Sequence, residues 1–190
     1  MGQPKPLLPL GDSPIIHHSL FALHDGGVPE PIVVLGPGGK AIAEVLSATP
    51  AVLAWNPDAD SEMIDSIRIG LDMIPTHVSG VLIALADSPL LRPETVAGLI
   101  SRHRNHPGRI LLPCHDGKGG HPPLIPRKIL EEVRTASTLR DVIQKEPERI
   151  EHVAFDDAGI LQDMDTPEDY RHVRNLYMRD KRQNSRPGRD

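Results

Sequence analysis

The sequence predicts an α/β fold, a three-layer α/β/α sandwich in which helices cover both faces of a mostly parallel sheet. Short, continuous apolar runs at residues 32–35 and 81–85 are bounded by glycine or proline, which is typical of strands buried on both faces. Helical patterns alternate with such runs along the chain. This alternation within one domain favours a sheet whose ligands bind beyond the carboxyl ends of its strands.

In the first half of the chain, helical patterns with glycine, proline or a capping residue at their ends separate the apolar runs. The clearest helix shows Ile64, Ile67 and Leu71 at the 3.6-residue spacing of one face. The elements predicted here are helix 14–24, strand 32–35, helix 39–47, strand 51–55, helix 64–74 and strand 81–85.

In the second half, Pro93 occupies a position that the first turn of a helix tolerates, and Pro107 and Gly108 end that helix. The strand patterns are weaker here, with proline or charge at their ends. The elements predicted here are the helix that begins at Pro93, strand 110–113, helices 127–134 and 139–145, strand 153–155 and helix 167–178.

The composition describes one domain, residues 1–178, and a tail at 179–190 that has no apolar residue and is predicted to be disordered. The lone Cys114 excludes a disulfide framework within one chain. A net charge of −5 argues against a surface that binds nucleic acid or an anionic membrane. Because no segment approaches the roughly 20 apolar residues that span a bilayer, we expect a cytoplasmic protein.

Asp87 is the first candidate for a functional side chain. It comes just past the carboxyl end of the run 81–85, where α/β sheets place their ligands. A carboxylate there is suited to Mg²⁺, which takes one or two protein carboxylates and completes its shell with water and phosphate oxygens. The alternative is structural, because an Asp ahead of Pro89 also commonly begins a turn.

A second acidic pair lies in the segment Asp163-Met-Asp165-Thr166-Pro167. Two acids at a spacing of two in an extended segment point the same way, so one of them is a candidate second metal ligand. The alternative is that Asp165 or Thr166 caps a helix whose first turn begins with Pro167. Both interpretations hold if one residue caps the helix and another faces the site.

Two further side chains are suited to bind a phosphate or another anion. Lys5 lies between two prolines that stiffen the chain and favour a fixed ammonium group, although a lysine near a terminus is usually just solvated. His121 follows the glycine-rich segment 116–120, where backbone amides and an imidazole can meet an anion; the alternative is a surface hairpin loop. The ten histidines show no zinc-ligand spacing, so we predict no structural zinc.

The segment Gly36-Pro-Gly-Gly-Lys-Ala41 matches the glycine fingerprint G-x-G-x-x-A of dinucleotide sites. It follows a predicted strand and begins a helix, and Asp58 and Asp60 lie about 20 residues further on as candidate ribose ligands. Against this interpretation, Pro37 stiffens the turn and the two acids fall past the next strand. An NAD-dependent oxidoreductase is therefore a less favoured alternative.

Five stretches, taken in order, resemble the MobA-like nucleotidyltransferases, and especially their molybdenum cofactor cytidylyltransferase branch. They are residues 1–10, residues 56–71 with Ser66-Ile-Arg-Ile-Gly-Leu71, Leu85-Ala-Asp87-Ser-Pro89, Gly120-His121-Pro122 and Asp163-Met-Asp165-Thr-Pro-Glu-Asp-Tyr170. The resemblance covers residues 2–178. It implies a Rossmann-like sheet of the nucleotide-diphospho-sugar transferase type.

The resemblance also implies roles for individual residues. Lys5 matches the lysine that contacts nucleotide phosphates, Asp87 matches the acid that binds Mg²⁺ after the central strand, and Asp165 matches the second acid of that metal site. These three are therefore the implied catalytic residues. Ser66 matches a serine beside the nucleotide, although the small residues that precede it in the family are here Glu-Met-Ile-Asp. His121 is implied on the substrate side.

The sequence departs from the family pattern at its amino end. Members of the family begin with a strand and a glycine-containing phosphate loop, and this chain begins at the methionine that ends the loop. Two explanations stay open. Either the start was assigned at an internal methionine and the working protein is longer, which the intact lysine and acids favour, or the chain is a non-catalytic nucleotide-binding relative.

The activity that the resemblance implies is Mg²⁺-dependent transfer of a nucleoside monophosphate to a phosphorylated acceptor, with release of pyrophosphate. The donor is expected to be CTP, or less favourably GTP, and the acceptor a molecule such as molybdopterin. A molybdoenzyme that receives the product is an implied partner. Such a transfer depends on positioning and charge neutralisation and needs no protein nucleophile.

Overall fold

The computed structural model describes residues 4–162 and 164–184. The strands in this part of the chain are β1 Pro9–Leu10, β2 Ser13–Pro14, β3 Ile32–Leu35, β4 Val52–Trp55, β5 Gly80–Leu82, β6 Ile110–His115, β7 Lys118–Gly119, β8 Leu124–Pro126 and β9 Ile150–Ala154. The α-helices are α1 Ile15–Asp25, α2 Lys40–Leu46, α3 Met63–Met73, α4 Pro93–Asn105, α5 Arg127–Leu130, α6 Leu139–Gln144 and α7 Pro167–Asn184. Short 3-10 turns occupy Lys5–Leu7, Glu131–Arg134, Pro147–Arg149 and Ala158–Leu161.

The strands form two sheets and one small antiparallel hairpin, β1-β2. β3 and β4 pair in parallel, with Ile32 opposite Val52. The larger sheet has the order β5-β8-β6-β7, and β9 pairs in parallel with β6. Because β8 is antiparallel to both β5 and β6, these two strands run in the same direction on either side of it. The predicted α/β fold class is confirmed, and β8 makes the larger sheet mixed.

Helices pack on the sheets through the apolar faces that their sequences predict. On α3, Ile64, Ile67 and Leu71 are buried in one cluster with Val81 of β5 and Ile110 of β6. A fully buried side chain of this size contributes about 1.5–3 kcal/mol relative to an exposed one. The 3.6-residue spacing therefore identified the face by which α3 is held on the sheet.

The two most apolar runs are less buried than the sequence predicts. Only Leu35 of β3 and Val81 of β5 are buried, their apolar neighbours are partly exposed, and β5 ends at Leu82 although the run continues to Leu85. Both strands border a cavity of about 660 Å³. Continuous apolar runs are typical of strands that are covered on both faces, whereas Ile32, Val34 and Leu82 line this cavity and are only partly buried.

Two element boundaries differ from the predicted ones, and one strand was not predicted. The helix predicted at 127–134 changes after Leu130 into the tighter 3-10 turn Glu131–Arg134. The strand predicted at 153–155 is β9, which begins at Ile150 because it pairs with β6 along its whole length. β8 was missed, since a three-residue segment that ends in proline carries little strand pattern.

The last helix, α7, continues past the predicted domain boundary at 178. Residues 179–184 are helical where the sequence predicts a disordered tail, and residues 185–190 lie outside the described residues. Arg, Lys and Gln are good helix formers, and a helix that is already nucleated adds such residues readily. Neither α7 nor any other helix within residues 4–162 and 164–184 is long and apolar enough to cross a membrane.

Candidate active site

Lys5 and Asp165 form an ion pair, although 160 positions separate them in the sequence. The ammonium Nζ of Lys5 donates a hydrogen bond to Asp165 Oδ1 over 2.8 Å. Pro4 precedes the turn Lys5–Leu7 and Pro6 lies inside it, so two fixed φ angles stiffen the backbone that carries the lysine. The structure thus places Lys5 in a defined position beside an acid.

Asp87 belongs to the same group of charges. The hydrogen bond to Asp165 raises the pKa of Lys5, and the negative charges of Asp165, Asp87 and Asp169 add to this effect, while burial opposes it. A carboxylate has such an influence only when it lies near the ammonium group. The structure therefore brings together Lys5, Asp87 and Asp165, from three distant parts of the chain, and Lys5 stays protonated at neutral pH.

The capping of α7 explains how Asp165 is presented. The amide and hydroxyl of Thr166 each donate to Asp169 Oδ2 over 2.7 Å, and the amide of Asp169 donates to Thr166 Oγ1 over 3.1 Å. This is a reciprocal capping box with Pro167 at the first helical position. The hydroxyl bond lowers the pKa of Asp169. Because Thr166 performs the capping, the exposed carboxylate of Asp165 faces Lys5, and the candidate Asp163 lies outside the described residues.

Asp87 follows the apolar run of β5 and lies in a turn. Its position therefore agrees both with a ligand position at the carboxyl end of a strand and with the start of a turn, the two interpretations made from sequence. The hydroxyl of Ser19, on α1, donates to the carbonyl oxygen of Ala86 over 3.3 Å. Ser88 and Pro89, which follow, are buried. The chain on both sides of Asp87 is therefore anchored, and its partly exposed carboxylate is held at the end of the sheet.

Ser66 lies on α3, and a buried neighbour orients it. Asn56, which is 3% exposed, directs its amide Nδ2 to Ser66 Oγ over 3.4 Å and accepts from the amide of Asp58 over 3.2 Å. Ser66 lines the same cavity as Ala86, the residue before Asp87. Sequence reasoning did not single out Asn56; the available signal was a polar residue directly after an apolar strand.

His121 lies in the loop that follows β7. Its side chain is exposed, and its amide donates to the carbonyl oxygen of Ile160 over 2.9 Å. A Cβ atom on the preceding Gly120 would lie 2.3 Å from that same oxygen, so only glycine fits there. In the described part of the chain, the His121 side chain forms no hydrogen bond or ion pair with Lys5, Asp87 or Asp165.

The glycine fingerprint at 36–41 leads into α2, a helix of seven residues. A Cβ atom on Gly39 would meet Leu35 at 2.7 Å, so this glycine permits close packing of α2 on β3. Asp58 Oδ1 accepts from the amide of Asp60 over 2.9 Å. The candidate ribose ligand Asp58 therefore takes part in a local turn.

Asp87 and Asp165 fit a divalent cation that shares its coordination with a substrate. Both lie near Lys5, both retain access to solvent, and carboxylate oxygen is the ligand that Mg²⁺ and Mn²⁺ prefer. Within residues 4–162 and 164–184, no group of three or more His, Cys, Asp or Glu residues is arranged to hold a metal. Water and phosphate oxygens would therefore supply the remaining ligands.

Three curated proteins illustrate what this chain is similar to in sequence. The bifunctional protein GlmU of Heliobacterium modesticaldum is 35% identical over 101 residues, which are 53% of this chain and 22% of GlmU. The nicotine blue oxidoreductase of Paenarthrobacter nicotinovorans is 28% identical over 178 residues, 87% of this chain and 85% of that protein. The 2-C-methyl-D-erythritol 4-phosphate cytidylyltransferase of Frankia casuarinae is 29% identical over 179 residues, 87% of this chain. The chain spans about a fifth of the length of GlmU and 65% of that of the cytidylyltransferase.

Solved structures share the fold. Rv0371c of Mycobacterium tuberculosis H37Rv has a TM-score of 0.78 and 23% identity, over 92% of this chain and 91% of that one, and its manganese complex has a TM-score of 0.75 at the same identity, over 92% and 93%. A nucleotidyl transferase from Methanothermobacter has a TM-score of 0.80 and 19% identity, over 92% of this chain and 85% of that one. At these identities the likeness establishes the fold alone.

The model of one protein family matches most of the chain. It spans residues 1–152, which include Lys5, Ser66, Asp87 and His121 and end before Asp165. The family to which the sequence motifs pointed is thereby confirmed. The chain belongs to the family described as the MobA-like NTP transferase domain.

Proposed function

We propose that this protein is a metal-dependent nucleotidyltransferase that transfers a nucleoside monophosphate from CTP, or less favourably GTP, to a phosphorylated acceptor. The observation that carries this proposal is the hydrogen-bonded pair of Lys5 and Asp165, together with the carboxylate of Asp87, whose charge acts on the same ammonium group. Membership of the MobA-like NTP transferase domain family supports it. The presence of a cytidylyltransferase among the relatives supports CTP as the donor.

The transfer depends on positioning and charge neutralisation. A phosphate oxygen of the acceptor attacks the α-phosphorus of the nucleotide and forms the new P–O bond. The bond from the α-phosphorus to the oxygen that bridges to the β-phosphorus breaks, and pyrophosphate leaves with that oxygen and its electron pair. Lys5 Nζ then donates hydrogen bonds to phosphate oxygens, where its permanent charge stabilises the charge that develops on the leaving group.

Asp87 and Asp165 are the residues that would hold the metal ion, and we propose Mg²⁺ for this role. A divalent cation supplies positive charge to the phosphate oxygens when it is bound. Asp87 lies in the turn that follows the β5 run. The capping box of Thr166 and Asp169 leaves Asp165 just outside the helix. The manganese complex of Rv0371c, which has the same fold, supports a divalent cation.

The remaining assignments rest on the sequence motifs. Ser66, oriented by Asn56, is proposed to lie beside the nucleotide, and His121 on the acceptor side. Molybdopterin is the proposed acceptor, a molybdoenzyme the proposed recipient of the product, and the cytoplasm the proposed compartment. The amide of His121 donates a hydrogen bond to the carbonyl oxygen of Ile160, and this bond fixes His121 in the loop that follows β7.

The test is pyrophosphate release with CTP or GTP, molybdopterin, and either Mg²⁺ or Mn²⁺. Asp87→Asn keeps the size of the side chain and removes its charge, and we expect it to lower kcat/KM about 100- to 1,000-fold. Asp25→Asn is the matched control, since Asp25 is an exposed acid at the far end of α1. An Asp87→Asn protein as active as wild type would refute the metal-site assignment. Circular dichroism of both variants verifies the fold.

Two rival outcomes are informative. CTP binding without pyrophosphate release would identify a non-catalytic nucleotide-binding relative.

An oxidoreductase is the second candidate, because nicotine blue oxidoreductase matches 87% of this chain and the glycine fingerprint at 36–41 follows β3. Titration with NADH and NADPH, monitored by cofactor fluorescence, tests this candidate, and binding that Gly38→Val abolishes would support it.

A further inference from the structure

One apolar cluster joins the three segments that carry Lys5, Asp87 and Asp165. Residues that follow Lys5, residues that follow Asp87 and residues on both sides of Asp165 contribute to it, together with the start of α1. Its members are Leu8, Leu10, Ile15, Leu90, Met164, Tyr170, Val173 and Tyr177. Burial of such side chains contributes more stability than an exposed ion pair does. The cluster, rather than the bond between Lys5 and Asp165, therefore holds these segments together.

Met164 anchors the backbone that carries Asp165. Met164 is 1% exposed, whereas the side chain of Asp165, the next residue, is 80% exposed. Successive side chains thus point to opposite sides, one into the cluster and one toward Lys5. The burial of Met164 consequently determines where the Asp165 carboxylate begins.

Tyr170 connects α7 directly to the Lys5 segment, which we define as residues 5–10. Its hydroxyl Oη donates to the carbonyl oxygen of Pro9 over 2.5 Å. The carbonyl oxygens of the residues on either side of Pro9 bond to groups of α1, over 3.0 and 2.8 Å. Three successive carbonyls are therefore held, and the middle one is held by the helix that begins just after Asp165.

The proposed reaction gives this connection a purpose. Lys5 has to release Asp165 in order to bind a phosphate, and Asp165 has to turn to a metal ion. A lysine ammonium lies at the end of a long, flexible side chain, so its bond to Asp165 cannot preserve the site once it is exchanged. The bond from Tyr170 to Pro9 joins the same two segments without using either charge.

We propose that Tyr170 is a positioning residue. Its hydroxyl holds the Lys5 segment against α7, so that the Lys5 ammonium and the Asp165 carboxylate keep their places while their partners change. The consequence for catalysis rests on the proposed function, whereas the link between Tyr170 and the ion pair does not. Tyr170→Phe removes the hydroxyl and retains the aromatic ring in the apolar cluster, so this variant tests the bond and leaves the packing.

The first test needs no activity. It measures the exchange of the Lys5 ammonium protons with water by ¹⁵N NMR, with Lys5→Arg to assign the signal. The hydrogen bond to Asp165 slows this exchange in the wild type. We expect exchange about tenfold faster in Tyr170→Phe, approaching that of Asp165→Asn, which removes the charge of the acceptor.

Tyr177→Phe is the matched control for this measurement. Tyr177 also belongs to α7 and to the apolar cluster, but its ring lies beside Lys181, whose Nζ is 5.3 Å from the ring centroid. This variant should exchange its Lys5 protons as the wild type does. Unchanged exchange in Tyr170→Phe would overturn the proposal, and so would equal acceleration in both variants, which would assign the effect to a loosened cluster.

The second test uses the kinetics of pyrophosphate release. Because misplacement of Lys5 affects the transition state, Tyr170→Phe should lower kcat about tenfold and change the KM for CTP less than about twofold. In a Lys5→Met background the same substitution should lower kcat no further, since residues that act through one another are not additive.

A full, independent loss of kcat in the Lys5→Met background would overturn the assignment of Tyr170 as a residue that acts through Lys5. A wild type that releases no pyrophosphate would instead refute the proposed function. The exchange of the Lys5 ammonium protons would then decide the role of Tyr170 by itself.

Discussion

At the scale of single residues, Lys5 is a cation whose charge is secured by its neighbours. Asp165 accepts its hydrogen bond, and Asp87 and Asp169 add negative charge, so the pKa of Lys5 is raised. A raised pKa means that the ion pair stabilises the fold below the ordinary value of 10.5 and that this contribution is lost as pH rises through the folded-state value. Since the side chain of Asp165 is 80% exposed, the pair contributes no more than about 1 kcal/mol.

Lys5→Met should weaken CTP binding about tenfold or more, because it removes the charge and keeps the length of the side chain. The affinity of the wild type for CTP should show no change caused by ionisation of Lys5 between about pH 6 and pH 9. Isothermal titration across this range checks both statements. Lys128→Met, at an exposed position on α5, is the control, and equal affinity of the two variants would contradict the role of Lys5.

His103 is a buried residue whose charge state affects stability. Burial lowers its pKa, and Ser79 Oγ lies 3.1 Å from its Nε2. Its neutral form therefore contributes stability that is fully present above about pH 6.5 and is lost as pH falls through the lower folded-state pKa.

We expect urea unfolding of the wild type to show a larger loss of stability between pH 7.5 and pH 5.5 than that of His103→Gln. The reason is that glutamine has no proton to gain in the unfolded state. His77→Gln, at an exposed histidine, should retain the wild-type pH dependence. Identical pH dependence in all three proteins would contradict the assignment to His103.

At the scale of elements, one buried carboxylate joins the start of α4 to the turn after β9. Asp157 is 1% exposed and accepts from the amide of Arg92 over 3.0 Å, the hydroxyl of Thr95 over 2.7 Å and the amide of Gly159 over 2.9 Å. Three donors on two elements satisfy both carboxylate oxygens. This bond network fixes the segment that leads to α7 and hence to Asp165.

Asp157→Asn should lower the free energy of unfolding by about 2–3 kcal/mol, because the new amide places a donor against existing donors in a buried site. Asp156→Asn is the neighbouring control, since the Asp156 side chain is exposed and its backbone carbonyl, which the substitution keeps, accepts the bond from Arg92. Urea denaturation of both variants gives the comparison. Equal midpoints would show that the network contributes little.

At the scale of the whole molecule, net charge determines which partners are attracted. The chain has a net charge of −5, and acids surround the cation Lys5, so the positive field of Lys5 is local. We expect no retardation of duplex DNA at about 150 mM salt and micromolar protein, conditions under which non-specific DNA binders begin to associate. Retardation that disappears when residues 179–190 are removed would contradict this expectation and assign nucleic-acid binding to the basic segment.

The fold was predictable from sequence wherever the pattern was local. The spacing of Ile64, Ile67 and Leu71 identified α3 and its buried face, and Pro167 after Thr166 indicated the start of α7. β8 was not predictable, because its pairing with β5 and β6 is a non-local property of three residues. Lys5, Asp87 and Asp165 were identifiable as candidates, while their meeting was visible only in three dimensions.

The sequence by itself determined the α/β class, the order of most elements and the residue types available for phosphate and metal binding, because hydrophobic period and capping chemistry act within a few residues. The tertiary structure decided which strands are neighbours, that Thr166 caps α7 while Asp165 faces Lys5, and that β3 and β5 border a cavity. These features depend on contacts between segments far apart in the chain. A local sequence pattern does not specify such contacts, because the pairing of strands depends on the packing of the whole sheet.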